Sequence, residues 1–260
     1  MTTVDITTAG PIATVRLNRP ESLNSLNEEL GRDLEQALKT VATDESVRVC
    51  MLTGANETFM AGGDIKYFGG VLASGKGANE FNGLFNSVHN VIRTIDSMPQ
   101  PVIAVVRGSA AGYGLSLMAS CDLAIAADDT VFTLAYCHLG VSPDGGSTWS
   151  LPRLIGQRKA LEVALLGDRF DGTKAAEMGL INFAVPATEL DDAAGKLAER
   201  IVRGPRAALA KTKRLIRSSF DNDANTQLNL EQSNFLSCVE GPEFAEGVDA
   251  FLNKRRPKFP

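Results

Sequence analysis

The stretch Pro101-Val-Ile-Ala-Val-Val106-Arg-Gly108-Ser-Ala-Ala-Gly112-Tyr-Gly114-Leu-Ser-Leu-Met-Ala119 decides the fold. Its first six residues are continuous, apolar and β-branched, the pattern of a strand buried on both faces. Glycines then break the chain at Gly108, Gly112 and Gly114, and a short apolar helix begins. Glycine at a strand-to-helix turn lets the backbone approach a ligand, and the new helix leaves its first N–H groups unpaired. Such a turn holds a phosphate or an oxyanion. The spacing matches neither the Gly-x-x-x-x-Gly-Lys-Ser/Thr of a nucleotide loop nor the Gly-x-Gly-x-x-Gly of a dinucleotide fold, which favours the oxyanion.

A second glycine turn lies upstream, where the strand-like Arg48-Val-Cys-Met-Leu-Thr53 leads to Ala61-Gly-Gly-Asp-Ile-Lys66. Either turn alone reads as an ordinary connection; the pair points to chemistry. Two backbone donors from separate loops can grip the oxygen of a polarised thioester or ester carbonyl, each stabilising the transition state by about 3–4 kcal/mol.

Around these turns the order is α/β, then all-α. Ile12–Leu17 reads as a strand, and Asn27 caps a helix whose apolar stripe is Leu30, Leu34, Leu38 and Val41. Strands follow near 47–53, 102–106 and 122–126, and helices are expected at 157–166 and 173–178. Val71–Ala78 is glycine-rich and reads as a mobile segment. From Asp191 onward the pattern is helical, at 191–203, 206–219, 224–238 and 242–254, so the chain divides into 1–190 and a helical region, 191–260.

With 260 residues, 44% of them hydrophobic, the chain can bury a sizeable core. A net charge of −5 argues against bulk binding to nucleic acid or an acidic membrane. Cys50, Cys121, Cys137 and Cys238 stand singly and read as reduced core thiols. Met1-Thr-Thr-Val-Asp5 is no signal peptide, and no apolar run reaches membrane-spanning length, so a cytoplasmic location is expected. Nothing in the pattern demands a metal. The basic runs Lys211–Arg217 and Lys254–Lys258 read first as solvated helix faces, with phosphate or RNA contacts as the alternatives.

Taken together, Leu17-Asn-Arg-Pro-Glu-Ser-Leu-Asn-Ser-Leu26, Ala61–Lys66, Pro101–Gly114, Ser120-Cys-Asp-Leu-Ala-Ile-Ala126 and Leu139–Thr148 resemble the crotonase (enoyl-CoA hydratase/isomerase) superfamily. The likeness runs from about Val4 to Lys258 in the family's order. It implies a ClpP-like ββα spiral core, a helical C-terminal region packing subunits into a homotrimer or a dimer of trimers, and a coenzyme A thioester as substrate, with no permanently bound cofactor. The oxyanion-hole N–H groups then fall on Gly63 and Tyr113. Tyr113 stands where many members carry glycine, and its ring is expected to narrow the pocket. For coenzyme A, the resemblance implies Arg19 near the phosphates, Ala61, Asp64 and Ile65 around the adenine, and Phe251 and Lys254 reaching the coenzyme of an adjacent subunit. Asn24 and Pro20 read as structural.

The two glutamates of the familiar hydratases correspond to Ser116 and Tyr136, neither an acid–base group near neutral pH. Asp144 becomes the candidate base, in a Pro143–Trp149 stretch most like the isomerase of bacterial phenylacetate degradation. One carboxylate suits allylic isomerisation, provided an apolar pocket raises its pKa; Phe132, Leu134, Tyr136 and Trp149 are expected to line that pocket. His89 aligns with a functional histidine of the 4-chlorobenzoyl-CoA dehalogenase, where Asp144 would be the nucleophile; His138 reads as structural. A Ser116–His89–Asp144 triad lacks the Gly-x-Ser-x-Gly elbow. The readings left open are isomerase, hydratase, Asp-nucleophile hydrolase, and a non-catalytic member binding coenzyme A or RNA.

Overall fold

A computed structural model describes residues 2–260. Strands β1 (Val4–Ala9) and β2 (Ile12–Leu17) form an antiparallel hairpin, and β2 then pairs in parallel with β3 (Val49–Gly54). Strands β4 (Val102–Val106), β5 (Ser109–Ala111), β6 (Leu123–Ala127), β7 (Val131–Thr133) and β8 (Phe183–Val185) complete the set. The main sheet runs β1-β2-β3-β4-β6-β8, while β5 and β7 form a small parallel pair beside it. Every residue of β4 is buried, as its unbroken apolar pattern demands.

The two faces of β4 feed two cores. Val102, Ala104 and Val106 belong to the larger one, with helix α1 (Glu28–Thr43), α3 (Asn82–Ser97) and α4 (Tyr113–Ser120). Ile103 and Val105 meet Leu190, Ala194 and Ala198 of α7 (Leu190–Val202). Burial of each such Val, Leu or Ile contributes about 1.5–3 kcal/mol. The first helix of the C-terminal region thus packs on the sheet. Beyond it, α8 (Arg206–Ser218), α9 (Ala224–Val239) and α10 (Pro242–Leu252) form the all-α tail of a crotonase-like α/β fold. Asn27 caps α1 as its sequence predicts, accepting from Leu30 N–H at 2.9 Å.

The structure corrects several expectations. Val71–Ser74 closes α2 (Ile65–Ser74), which starts because Asp64 caps it through the N–H groups of Lys66 and Tyr67, and residues 77–81 form a 3₁₀ turn. Helix α5 (Ser147–Leu166) begins ten residues before the expected 157 and kinks at Gly156, where φ is 75°. The short helix α6 (Gly172–Glu177) lies where expected. Cys137 is exposed rather than a core thiol.

Two cations of the basic run on α8, Lys213 and Arg217, are not on a solvated face, whereas Arg214 is exposed. Lys213 Nζ lies 2.8 Å from Asp122, and Arg217 donates to the same carboxylate through Nε and Nη2 at 3.0 and 2.8 Å. Lys213 also donates to the carbonyls of Ile95 and Gln100, and Arg217 to Asp96. In the tail, Arg255 is held by Glu246 and Asp249. Among the described residues, no helix is long and apolar enough to cross a membrane.

Candidate active site

The two glycine turns meet. Met60 pairs with Ala110 in a parallel bridge, Met60 N–H donating to Ser109 and Ala111 N–H to Met60 at 2.9 Å each. This bridge brings Ala61–Gly63 against the Gly112 turn. A Cβ on Gly62 would lie 3.8 Å from Gly112 Cα, and one on Gly112 would lie 3.7 Å from Gly62 Cα. Both glycines have positive φ, 99° and 49°, a conformation that side chains strain. Tyr113 is the first residue of α4, so helix geometry gives its N–H no intrahelical partner. Among the described residues, neither Gly63 N–H nor Tyr113 N–H has a protein acceptor. Two unpaired donors on abutting loops, one at a helix N-terminus, suit a developing oxyanion.

Gly63 has its own constraint: a Cβ there would meet the Phe68 ring at 2.4 Å. Gly114 has another, since a Cβ would sit 2.4 Å from the Met60 carbonyl oxygen. Gly114→Ala therefore pushes Met60–Gly63 away from α4 and separates the two donors. We expect kcat to fall about 10²–10³-fold, as when one oxyanion donor is lost, with helix content unchanged by circular dichroism; kcat within twofold of wild type would break the link between this contact and the hole.

Asp144 lies on the turn above the start of α4. A Cβ on Gly145 would come within 2.6 Å of the Tyr113 ring and 3.1 Å of Ser116 Cβ, so only glycine lets this turn sit so close. Ser116 Oγ donates to the Asp144 carbonyl at 3.0 Å, and Ser147 Oγ to the same oxygen at 3.1 Å. The Tyr136 phenol donates to Asp144 Oδ1. Burial raises the Asp144 pKa above the ordinary carboxylate range, outweighing the Tyr136 hydrogen bond and the His89 imidazole, which lower it.

The two positions that align with hydratase glutamates thus present hydroxyls, Tyr136 to the Asp144 carboxylate and Ser116 to the Asp144 main-chain carbonyl. The Tyr113 ring, only 2% exposed, packs beneath Gly145, and its hydroxyl has no partner among the described residues. The ring forms the floor of the Asp144 turn.

The expected lining of the Asp144 pocket holds in part. Tyr136 contacts the carboxylate, whereas Trp149 lines, with His89, Ile92, Gly146 and Ser150, a cavity of about 540 Å³ whose lining does not include Asp144. Phe132 does not line it: paired with Phe170 and stacked on it at 5.7 Å, it points into the core. Leu134 faces a separate cavity beside Leu151 and Ala160. His89, on α3, is exposed and stacks on Phe85 at 6.0 Å. Ser116 gives its proton to a main-chain carbonyl and makes no hydrogen bond to His89 among the described residues, so no triad forms. His138 contacts the Gly167 carbonyl at 3.2 Å.

Of the residues implied for coenzyme A, Arg19 and Asp64 come together at 3.1 Å. Burial raises the Asp64 pKa, but the Tyr67 N–H and the Arg19 guanidinium outweigh it and hold the carboxyl below its usual range. Ala61 precedes the Gly62-Gly63 turn, and Ile65 is exposed at the start of α2. Phe251 lies in the last turn of α10 and is 84% exposed, and Lys254 follows the helix. Asn24 is structural, its amide donating to Ala55 and Thr58 and accepting from Arg19 N–H. Among the described residues, no group of three or more His, Cys, Asp or Glu is placed to hold a metal.

The sheet, helical tail and facing glycine turns define a crotonase-fold enzyme acting on acyl-CoA. The family profile described as Enoyl-CoA hydratase/isomerase matches residues 7–260, and the chain belongs to that family. It is 37% identical over 248 residues to the 1,2-epoxyphenylacetyl-CoA isomerase of Escherichia coli (strain K12), covering 95% of this chain and 94% of that one. It is 32% identical over 249 residues to the crotonyl-CoA hydratase of Syntrophomonas wolfei, covering 95% and 94%. An enoyl-CoA hydratase structure from Polaromonas sp. JS666 superposes with a TM-score of 0.92 at 32% identity, covering 99% of each chain.

Proposed function

We propose that this chain is an enoyl-CoA isomerase of the kind that handles ring-bearing acyl groups, with Asp144 as its proton shuttle. The observation that carries the reading is the lone, desolvated Asp144 carboxylate, which takes the Tyr136 hydroxyl while the Ser116 hydroxyl holds the Asp144 main-chain carbonyl, at the two positions where the resemblance implies hydratase glutamates. Asp144 takes the proton from the carbon beside the thioester. The electron pair moves onto the carbonyl oxygen, where the Gly63 and Tyr113 N–H groups hold the negative charge. The dienolate then collapses as the same carboxyl returns the proton two carbons further along, shifting the double bond with no net gain or loss of atoms. The 37% identity to a 1,2-epoxyphenylacetyl-CoA isomerase supports the ring-bearing substrate class.

Coenzyme A is placed along Ala61, Asp64 and Ile65 with its phosphates toward Arg19. Phe251 and Lys254 serve the site of a neighbouring subunit in a homotrimer or dimer of trimers. Exposed Leu228, Phe235, Phe251 and Leu252 on the tail support that assembly.

Product mass spectrometry in deuterated water tests the reading with a 3-enoyl-CoA, a 2-enoyl-CoA and 4-chlorobenzoyl-CoA. We expect the 3-enoyl ester to become its 2-enoyl isomer with at most deuterium exchange. Hydration of the 2-enoyl ester without isomerisation overturns the reading in favour of a hydratase. Chloride release moves it to a nucleophilic Asp144 assisted by His89.

A further inference from the structure

We propose that Tyr136 is the positioning residue for Asp144: its phenol donates to Oδ1, leaving Oδ2 as the one oxygen that takes and returns the proton. This inference rests on the isomerase reading and adds how the base is aimed. Asp144 is held at both its main chain, where Ser147 also donates, and its side chain. The Ser116 hydroxyl donates to its main-chain carbonyl at 3.0 Å, and the Tyr136 hydroxyl donates to its carboxylate. Ser116 Oγ and Tyr136 Oη are themselves 3.5 Å apart, and each proton has a better acceptor on Asp144 than on the other hydroxyl. The side chain therefore cannot swing without losing a charge-assisted hydrogen bond, which is stronger than a neutral one.

The direction of donation is fixed by chemistry. Burial, and then the adjacent Asp144 charge, push the Tyr136 phenol above its ordinary pKa, so it stays protonated and donates throughout the neutral range. It cannot serve as the base. The other titratable groups facing Asp144 are His89 from α3 and Tyr113 from α4. Neither makes a hydrogen bond to the carboxylate among the described residues, so Tyr136 is the group that can select between its oxygens. A base that must serve two carbons with one oxygen needs its position held more tightly than one that works at a single carbon, because small misplacements are costly in rate.

Tyr136→Phe removes the donor and keeps the ring. We expect kcat for 3-enoyl-CoA isomerisation on the alkaline plateau to fall about tenfold to a hundredfold, with KM within about twofold. The acid limb of the kcat/KM profile should move to higher pH, because the lost hydrogen bond had favoured the charged carboxylate. Site-specific 3-fluorotyrosine at 136, a stronger donor of nearly the same shape, should move the limb to lower pH. A purely structural tyrosine would lower activity or thermal stability without displacing the limb in opposite directions. An unmoved limb in both variants, beside an inactive Asp144→Asn control, overturns the role of Tyr136 alone. Full turnover in Asp144→Asn overturns the base assignment, and the role of Tyr136 falls with it.

Discussion

Replacing Asp144 by Asn is expected to lower kcat about a thousandfold while leaving thioester binding intact. A positioned acid–base group contributes roughly 10²–10⁴ in rate, and a carboxamide matches the carboxylate in shape without being basic. The groups proposed to grip the thioester oxygen are main-chain N–H groups of Gly63 and Tyr113, which the substitution does not touch. KM, and the affinity for a saturated acyl-CoA measured by calorimetry, should therefore stay within about threefold. The pH profile supplies a second reading. Burial holds the Asp144 pKa above the ordinary carboxylate value, so wild-type turnover is present above that raised pKa and is lost as pH falls through it. Residual activity in the variant should lack this limb. Near wild-type kcat in Asp144→Asn would remove the residue from the chemistry.

Asp122→Asn should be the most destabilising of the substitutions considered, by about 3–5 kcal/mol. The carboxylate has side-chain exposure of 14% and answers Lys213 at 7% and Arg217 at 18%; Val102 N–H also donates to it at 2.8 Å. Removing its charge leaves buried Lys213 without a carboxylate partner between α8 and the sheet and leaves Arg217 with Asp96 alone. Lys213 already has its pKa lowered by desolvation, against the pull of Asp122. For a chain of this size each kcal/mol corresponds to roughly 2–4 °C in Tm, so a drop of about 10 °C is expected by scanning calorimetry. Adding Lys213→Met should recover part of the loss, because it removes one stranded charge. A Tm within 2 °C of wild type for Asp122→Asn would show that the cluster does not hold the tail to the core.

Much of this arrangement could be read in the sequence because its signals are local. Glycines at 62, 108 and 112 mark turns whatever surrounds them, and the run at 102–106 announces a strand buried on both faces. Asn27 announces its helix in the same way. The features that escaped are those made by contact. Nothing in the spacing of Tyr136 and Asp144 says that a phenol will find a carboxylate. A row of lysines and arginines on α8 looks the same locally whether it meets water or Asp122. Phe132 was misplaced because aromatic content near a site does not tell which face of a short strand turns inward. The start of α5 was missed because Pro152 lowers helix propensity, and only packing against α4 overrides it.

The proposed oxygen grip is drawn by the path of the chain, not by the choice of side chains. Position 113 illustrates this: a bulky tyrosine there still offers the same N–H, because the donor depends on where α4 begins. The groups proposed to set the reaction sit elsewhere, with Ser116 inside α4, Tyr136 on a 3₁₀ turn and Asp144 on the loop before α5. None of the three supplies either of the two main-chain donors itself. A scaffold divided in this way can trade one reaction for another and never relearn how to hold its substrate.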